Sequence, residues 1–116
     1  MGIEELAGRL REFAVDRDWE QFHTPKNIAM ALAGETGELL AELQWLTPEE
    51  SRKVMDDAAA GARMRAELGD VFLYLIRLAD LLGVDLAQAA EDKLEENERR
   101  YDAGTYRGSA RKAPPL

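Results

Sequence analysis

Two pairs of acids stand at a spacing that could do chemistry. Glu35 and Glu38 lie three apart in Gly34-Glu35-Thr36-Gly37-Glu38-Leu39-Leu40, and Glu67 and Asp70 lie three apart in Ala66-Glu67-Leu68-Gly69-Asp70-Val71-Phe72. On a helix, residues at this spacing are neighbours on one face. Each step therefore presents two carboxylates side by side. Carboxylates brought together repel one another and keep protons they normally lose. A hard divalent cation removes that conflict, and oxygen-only ligands suit magnesium, with manganese as an alternative. The pattern points to a metal cradle for a phosphorylated substrate. Taken singly, each acid step reads more plainly as the solvated face of a charged helix.

The elements that would carry these acids are helical. Ile3, Leu6, Ala7, Leu10, Phe13 and Ala14 repeat at three and four and predict a first helix from Ile3 to Arg17. After Asp18 to His23, Thr24 caps and Pro25 opens a second helix that reaches Trp45. At about 100° per residue, Ile28, Leu32, Leu39, Leu43 and Leu46 share one stripe. Glu35 falls inside it, and Glu38 and Glu42 fall at its edge. A carboxylate among apolar neighbours is costly unless something compensates it. The opposite face carries Met30, Ala33, Gly34, Gly37 and Ala41, so this helix has no watery side and is expected to be covered on both. One small subunit can hardly supply both covers, and self-association is the expectation.

Thr47-Pro48-Glu49-Glu50 has the pattern of a capping box and starts a short helix to about Asp57. Ala58 to Ala62 reads as its frayed end or a loop. A fourth helix is expected from Arg63 to Leu82, with Met64, Leu68, Val71, Phe72, Leu75, Leu78, Ala79 and Leu82 as its apolar arc. Glu67 and Asp70 lie on the margin of that arc, beside Tyr74 and Arg77. Arg77 is expected to pair with Asp70 or Asp80. Gly83 ends the helix and Asp85 caps a fifth, from Leu86 to Tyr101, whose buried stripe includes the polar Lys93 and Asn97. No segment alternates with period two, so the architecture is all-α, a bundle of about five helices. Beyond residue 103, Gly104, Gly108, Pro114 and Pro115 predict a flexible tail that follows a single domain.

Composition narrows the partners. The formal net charge is −8, with 33% charged and 46% hydrophobic residues. That balance argues against a nucleic-acid polymer, which calls for a basic face. It allows a small anionic ligand if a metal screens the acids. With no Cys in the chain, disulfides, thiolate zinc sites and a cysteine nucleophile are excluded. No apolar run approaches the roughly 20 residues of a membrane helix. The acids Glu4 and Glu5 stand where a secretory leader would carry bases. A cytoplasmic setting without membrane partners is expected.

The acid steps and their flanks resemble the all-α nucleoside triphosphate pyrophosphohydrolases, the MazG-like family, and within it the dCTP pyrophosphatase branch. The family's Glu-x-x-Glu, spacer, Glu-x-x-Asp motif is met by Glu35, Glu38, Glu67 and Asp70. The stretch from Trp19 to Asn27, then Leu32 to Trp45, Asp70 to Leu75 and Val84 to Leu86, fits as well, so the likeness runs from Leu6 to Lys112. The resemblance implies that the four acids hold magnesium and activate water. It implies that Lys93 pairs with phosphate and Asn97 bonds the nucleotide. Tyr74 and Tyr101 would line the pocket, and His23, Phe22, Trp19 and Trp45 would read the base. The implied reaction splits a pyrimidine deoxynucleoside triphosphate, dCTP or a relative, into monophosphate and pyrophosphate. The implied assembly is a homodimer or homotetramer whose four-helix core is completed by dimerisation. Asp102 follows Tyr101 where the family often has Pro, and Ala113-Pro114-Pro115 departs from the family's basic end. Two rivals stand beside this reading. One is a non-catalytic helical interaction module. The other is a phosphohydrolase on the same scaffold acting on dUTP or phosphoribosyl-ATP.

Overall fold

Each long helix after the first begins where a short polar side chain can take up a free backbone N–H. The Thr24 hydroxyl accepts from Asn27 N at 3.1 Å, and Pro25 takes the first helical position, where its missing N–H costs nothing. Asp57 accepts from Ala59 N and Ala60 N. Asp85 accepts from Gln88 N at 3.0 Å. Thr47 and Glu50 exchange the two bonds of a capping box.

The computed structural model describes all 116 residues. Its helices are α1 (Ile3–Asp16), α2 (Pro25–Leu43), α3 (Pro48–Ser51), α4 (Ala58–Leu82), α5 (Leu86–Arg100) and α6 (Ala103–Tyr106), with single 3-10 turns at Glu20–Phe22 and Val54–Asp56. No strand is present, as the sequence pattern requires. No helix is long and apolar enough to cross a membrane. The largest departure from expectation is the start of α4. Ala58 to Ala62 is neither frayed end nor loop but the first turn of that helix, because Asp57 caps it. At its end Gly83 adopts the left-handed conformation, φ 68°, that an L side chain rarely tolerates.

The chain forms two compact units, Met1–Gly83 and Val84–Leu116. In the first, α4 packs against both α2 and α1. Ala7, Ala14, Ile28, Met64, Ile76 and Ala79 are its buried apolar residues, with Ile76 only 1% exposed. Arg63 Nε meets Glu42 Oε2 at 3.1 Å and Arg77 meets His23, so α2 and α4 run antiparallel, with residue 42 beside 63 and residue 23 beside 77. Glu35 and Glu38 therefore come level with Glu67 and Asp70. In the second unit, α5 is followed by its C-cap residue Tyr101, whose ring meets Tyr106 edge-on with centroids 5.1 Å apart. Arg100 donates to the carbonyl oxygens of Ala113 (2.7 Å) and Pro114 (3.2 Å). The segment after residue 103 thus has a short helix and a tether, where free chain was expected.

Candidate active site

The antiparallel pairing of α2 and α4 has a direct chemical consequence. Carboxylate oxygens of Glu35, Glu38 and Glu67 all lie within 4.8 Å of one another. Glu35 and Glu67 are half-buried, and the Oε2 atom of each is buried without a partner. An orphaned carboxylate oxygen is a costly group in a protein. Desolvation raises the proton affinity of Glu35 above the usual carboxylate range, and the charges of Glu38, Asp70 and Glu67 raise it further. Glu67 is raised by desolvation and then by Glu38 and Asp70. These oxygens converge, lack protein donors and carry excess negative charge. That donor set fits a hard divalent cation, which takes carboxylate and water oxygens.

Asp70 is not one of the three converging acids. It is exposed, one turn along α4, close enough for its charge to be felt by Glu35 and Glu67. It also lines a cavity of about 560 Å³ with Leu10, Trp19, His23, Tyr74 and Arg77 among its neighbours. The fourth acid of the motif thus sits between the carboxylate cluster and the cavity.

The cavity wall is shaped by a tight turn. Asp18 takes a left-handed conformation, φ 55°, which Asp tolerates better than most residues. Its carbonyl and carboxylate oxygens each accept from Gln21 Nε2 at 3.0 Å. Trp19 N then returns to Ala14 O at 2.9 Å, closing the end of α1. This folds the Trp19 ring against Phe13, with centroids 5.6 Å apart in an edge-on pair. His23 follows one turn later, its ring centroid 6.5 Å from that of Trp19.

The expected aromatic wall is therefore divided. Trp19, His23 and Tyr74 line the cavity, whereas Phe22 and Trp45 do not. Phe22, the last residue of the 3-10 turn, is 58% exposed. Trp45 is 88% exposed and lies past the end of α2, at the opposite end of the α2–α4 pair from His23. Lys93, Asn97 and Tyr101 belong to the second unit. There the Lys93 ammonium donates to Glu96 Oε2 at 2.6 Å, a local pair on α5, and Asn97 is half-buried. Tyr101 packs on Tyr106.

Sequence reasoning passed over Arg77 as a functional group. Asp80 is indeed its carboxylate partner, at 3.4 Å, but Arg77 is only 6% exposed and its Nε also donates to His23 Nδ1 at 3.0 Å. Burial, and then the Arg77 charge, hold His23 below the ordinary imidazole value.

Residues 23–104 match the MazG nucleotide pyrophosphohydrolase domain. The dCTP pyrophosphatase 1 of Bos taurus is 43% identical over 114 residues, 98% of this chain and 68% of that protein. Its Homo sapiens counterpart is likewise 43% identical, over 98% of this chain and 67% of its own. A pyrophosphatase of Archaeoglobus fulgidus, known from a crystal structure, has the same fold, with a TM-score of 0.79 and 37% identity over 85% of this chain and 91% of that one. Helices that bring acid pairs together, and a likeness that spans nearly the whole chain, lead to one conclusion: the chain belongs to the MazG nucleotide pyrophosphohydrolase family.

Proposed function

We propose that this chain hydrolyses dCTP or a closely related pyrimidine deoxynucleoside triphosphate to the monophosphate and pyrophosphate, with magnesium, or manganese in its place, held by Glu35, Glu38, Glu67 and Asp70. The observation that carries this reading is the convergence of three carboxylates, two with buried orphan oxygens, beside a cavity lined by Trp19, His23 and Tyr74. The relatives named dCTP pyrophosphatase 1 support the choice of nucleotide. The purpose would be to clear or adjust the nucleotide pool, and the setting cytoplasmic.

The metal would supply charge neutralisation for the phosphates and a lowered pKa for attacking water. The protein's own contribution is positional. Glu35 and Glu38 are fixed one turn apart on α2, and Glu67 faces them from α4. A carboxylate in this cluster, its proton affinity raised above the ordinary range, is a stronger base than a solvated one and is suited to take a proton from water. Trp19 offers a stacking surface for a base, and Asp70 links the cluster to that surface. The family resemblance gives Lys93 to phosphate, Asn97 to the nucleotide and Tyr101 to the pocket lining, and phosphate would then replace Glu96 as the partner of Lys93. A panel of nucleoside triphosphates with magnesium, scored separately for pyrophosphate and phosphate, tests the reading. Pyrophosphate should appear, fastest from dCTP. Phosphate alone, or no turnover of any member, refutes it. Faster turnover of dUTP or phosphoribosyl-ATP would reassign the substrate.

We also propose a homodimer or homotetramer built on α2 and α4. Met30 is 64% and Leu40 62% exposed on α2, and Leu68 53% and Phe72 42% exposed on α4. Nothing lies within 4 Å of a side chain grown at Gly34, Gly37 or Gly69. Small residues beside bare apolar ones let a second helix approach closely and complete a four-helix core. Gly37→Arg would bury an unpaired charge there, which costs about 3–5 kcal/mol and raises the dissociation constant by at least about 100-fold. Sedimentation should show a multiple of 13.0 kDa for the parent chain and the single mass for the variant. A parent chain that sediments as a monomer at assay concentration contradicts the assembly.

A further inference from the structure

Arg77 is a buried cation whose partners are unequal. Asp80 Oδ2 lies 3.4 Å from its Nη1 and is held from outside by Arg11 Nε at 3.2 Å. The shorter bond, 3.0 Å, runs from Arg77 Nε to His23 Nδ1. A guanidinium has donors only and does not lose its proton in a protein. His23 Nδ1 must therefore accept, and the ring proton of the neutral imidazole must sit on Nε2. An imidazolium, with donors at both nitrogens, would break the bond and set two cations side by side. Nε2 makes no hydrogen bond within the protein, and His23 and Arg77 both line the cavity beside Trp19 and Asp70.

We propose that Arg77 is a positioning residue that holds His23 as its Nε2–H form, so that the cavity presents a hydrogen-bond donor to the base edge and prefers an acceptor, such as cytosine N3, over the N3–H of uracil or thymine. This rests on the nucleotide reading above and adds to it the origin of base preference. Arg11, Asp80, Arg77 and His23 form one relay, and the relay fixes a tautomer that imidazole alone would leave free.

His23 is the only histidine in the chain, so nitrogen-15 labelling of histidine reads this ring without overlap. At neutral pH the full chain should show a bare Nδ1 and a protonated Nε2. A proton on Nδ1 overturns the proposal, whatever the enzyme's activity. Deoxycytidine monophosphate should shift the Nε2–H signal and bind more tightly than deoxyuridine monophosphate by about tenfold, the worth of one hydrogen bond. Equal binding, or an unmoved Nε2–H signal, also overturns it. Arg77→Met should release the tautomer and raise KM for dCTP about tenfold with kcat within about twofold. Arg77→Lys, which keeps a charged donor, should recover part of the loss. An unchanged ring spectrum in a folded Arg77→Met overturns the assignment. If that variant does not fold, the parent spectrum and the two monophosphates decide alone. Absence of pyrophosphate release from every nucleotide would sink the parent reading but leave the ring spectrum in place, so the two failures are distinguishable.

Discussion

Glu38→Gln is expected to leave the helices intact and lower pyrophosphate release from dCTP at least about 100-fold at saturating magnesium. The fold should survive because Glu38 is exposed and mid-helix, and Gln has the same shape and similar helix propensity. Turnover should not survive, because Glu38 is the acid felt most strongly by both Glu35 and Glu67. It bridges the α2 and α4 carboxylates. An amide there removes one negative charge from the cradle and one strong oxygen donor. Circular dichroism checks the first half and pyrophosphate release the second. A rate within about threefold of the parent would remove Glu38 from the chemistry, since even supporting groups around metal sites usually matter more than that.

Features encoded within a few residues were legible before any coordinates. Thr24 with Pro25, Thr47 with Glu50, Gly83 and Asp85 act as caps because capping depends on local backbone geometry. The acid steps were legible for a related reason. Once a helix is granted, spacing alone puts Glu35 beside Glu38 and Glu67 beside Asp70. That the two steps face each other was an inference from charge placed among apolar neighbours, and the antiparallel α2–α4 pair meets it for three of the four acids.

What escaped is what packing decides. His23 and Arg77 are 54 residues apart, and no spacing rule connects them. The only available signal was an Arg placed beside the apolar arc of α4, which a burial argument could have questioned sooner. The aromatic residues divide for the same reason. Trp19 and Phe22 look equivalent in sequence, but Trp19 packs edge-on against Phe13 and lines the cavity, whereas Phe22 does not. The start of α4 was misplaced because Ala58 to Ala60 carries no periodicity, while the cap at Asp57 sits among other acids and does not stand out.

Glu67→Gln is expected to act in opposite directions on function and stability. Turnover should fall at least about 100-fold, as for its neighbour. In chelator, however, the variant should melt higher than the parent chain by at least about 3 °C. The reason is the repulsion that the site maintains. Glu67 Oε2 is buried without a partner, and its side chain faces Glu35 and Glu38. An amide cancels one charge and offers an N–H to those oxygens. The sign of the pH dependence follows. Glu35 and Glu67 hold protons more tightly folded than unfolded. As pH rises from the ordinary glutamate value near 4.5, the unfolded chain releases these protons first, so this contribution to stability falls until the folded pair has also ionised. Below that window the penalty is absent, and above it the penalty is complete. Glu50, Asp57 and Glu96 are shifted down and slope the other way, so the informative quantity is the difference between variant and parent at each pH. That difference should be near zero around pH 4.5 and grow toward neutrality. Magnesium should then raise the melting temperature of the parent far more than that of the variant, since a cation relieves in one what the amide has already relieved in the other. Melting curves in chelator and in magnesium test all of this without reference to substrate. A variant that melts below the parent at neutral pH in chelator would mean that the carboxylates are not in conflict, and the case for a cation between α2 and α4 would fail with it.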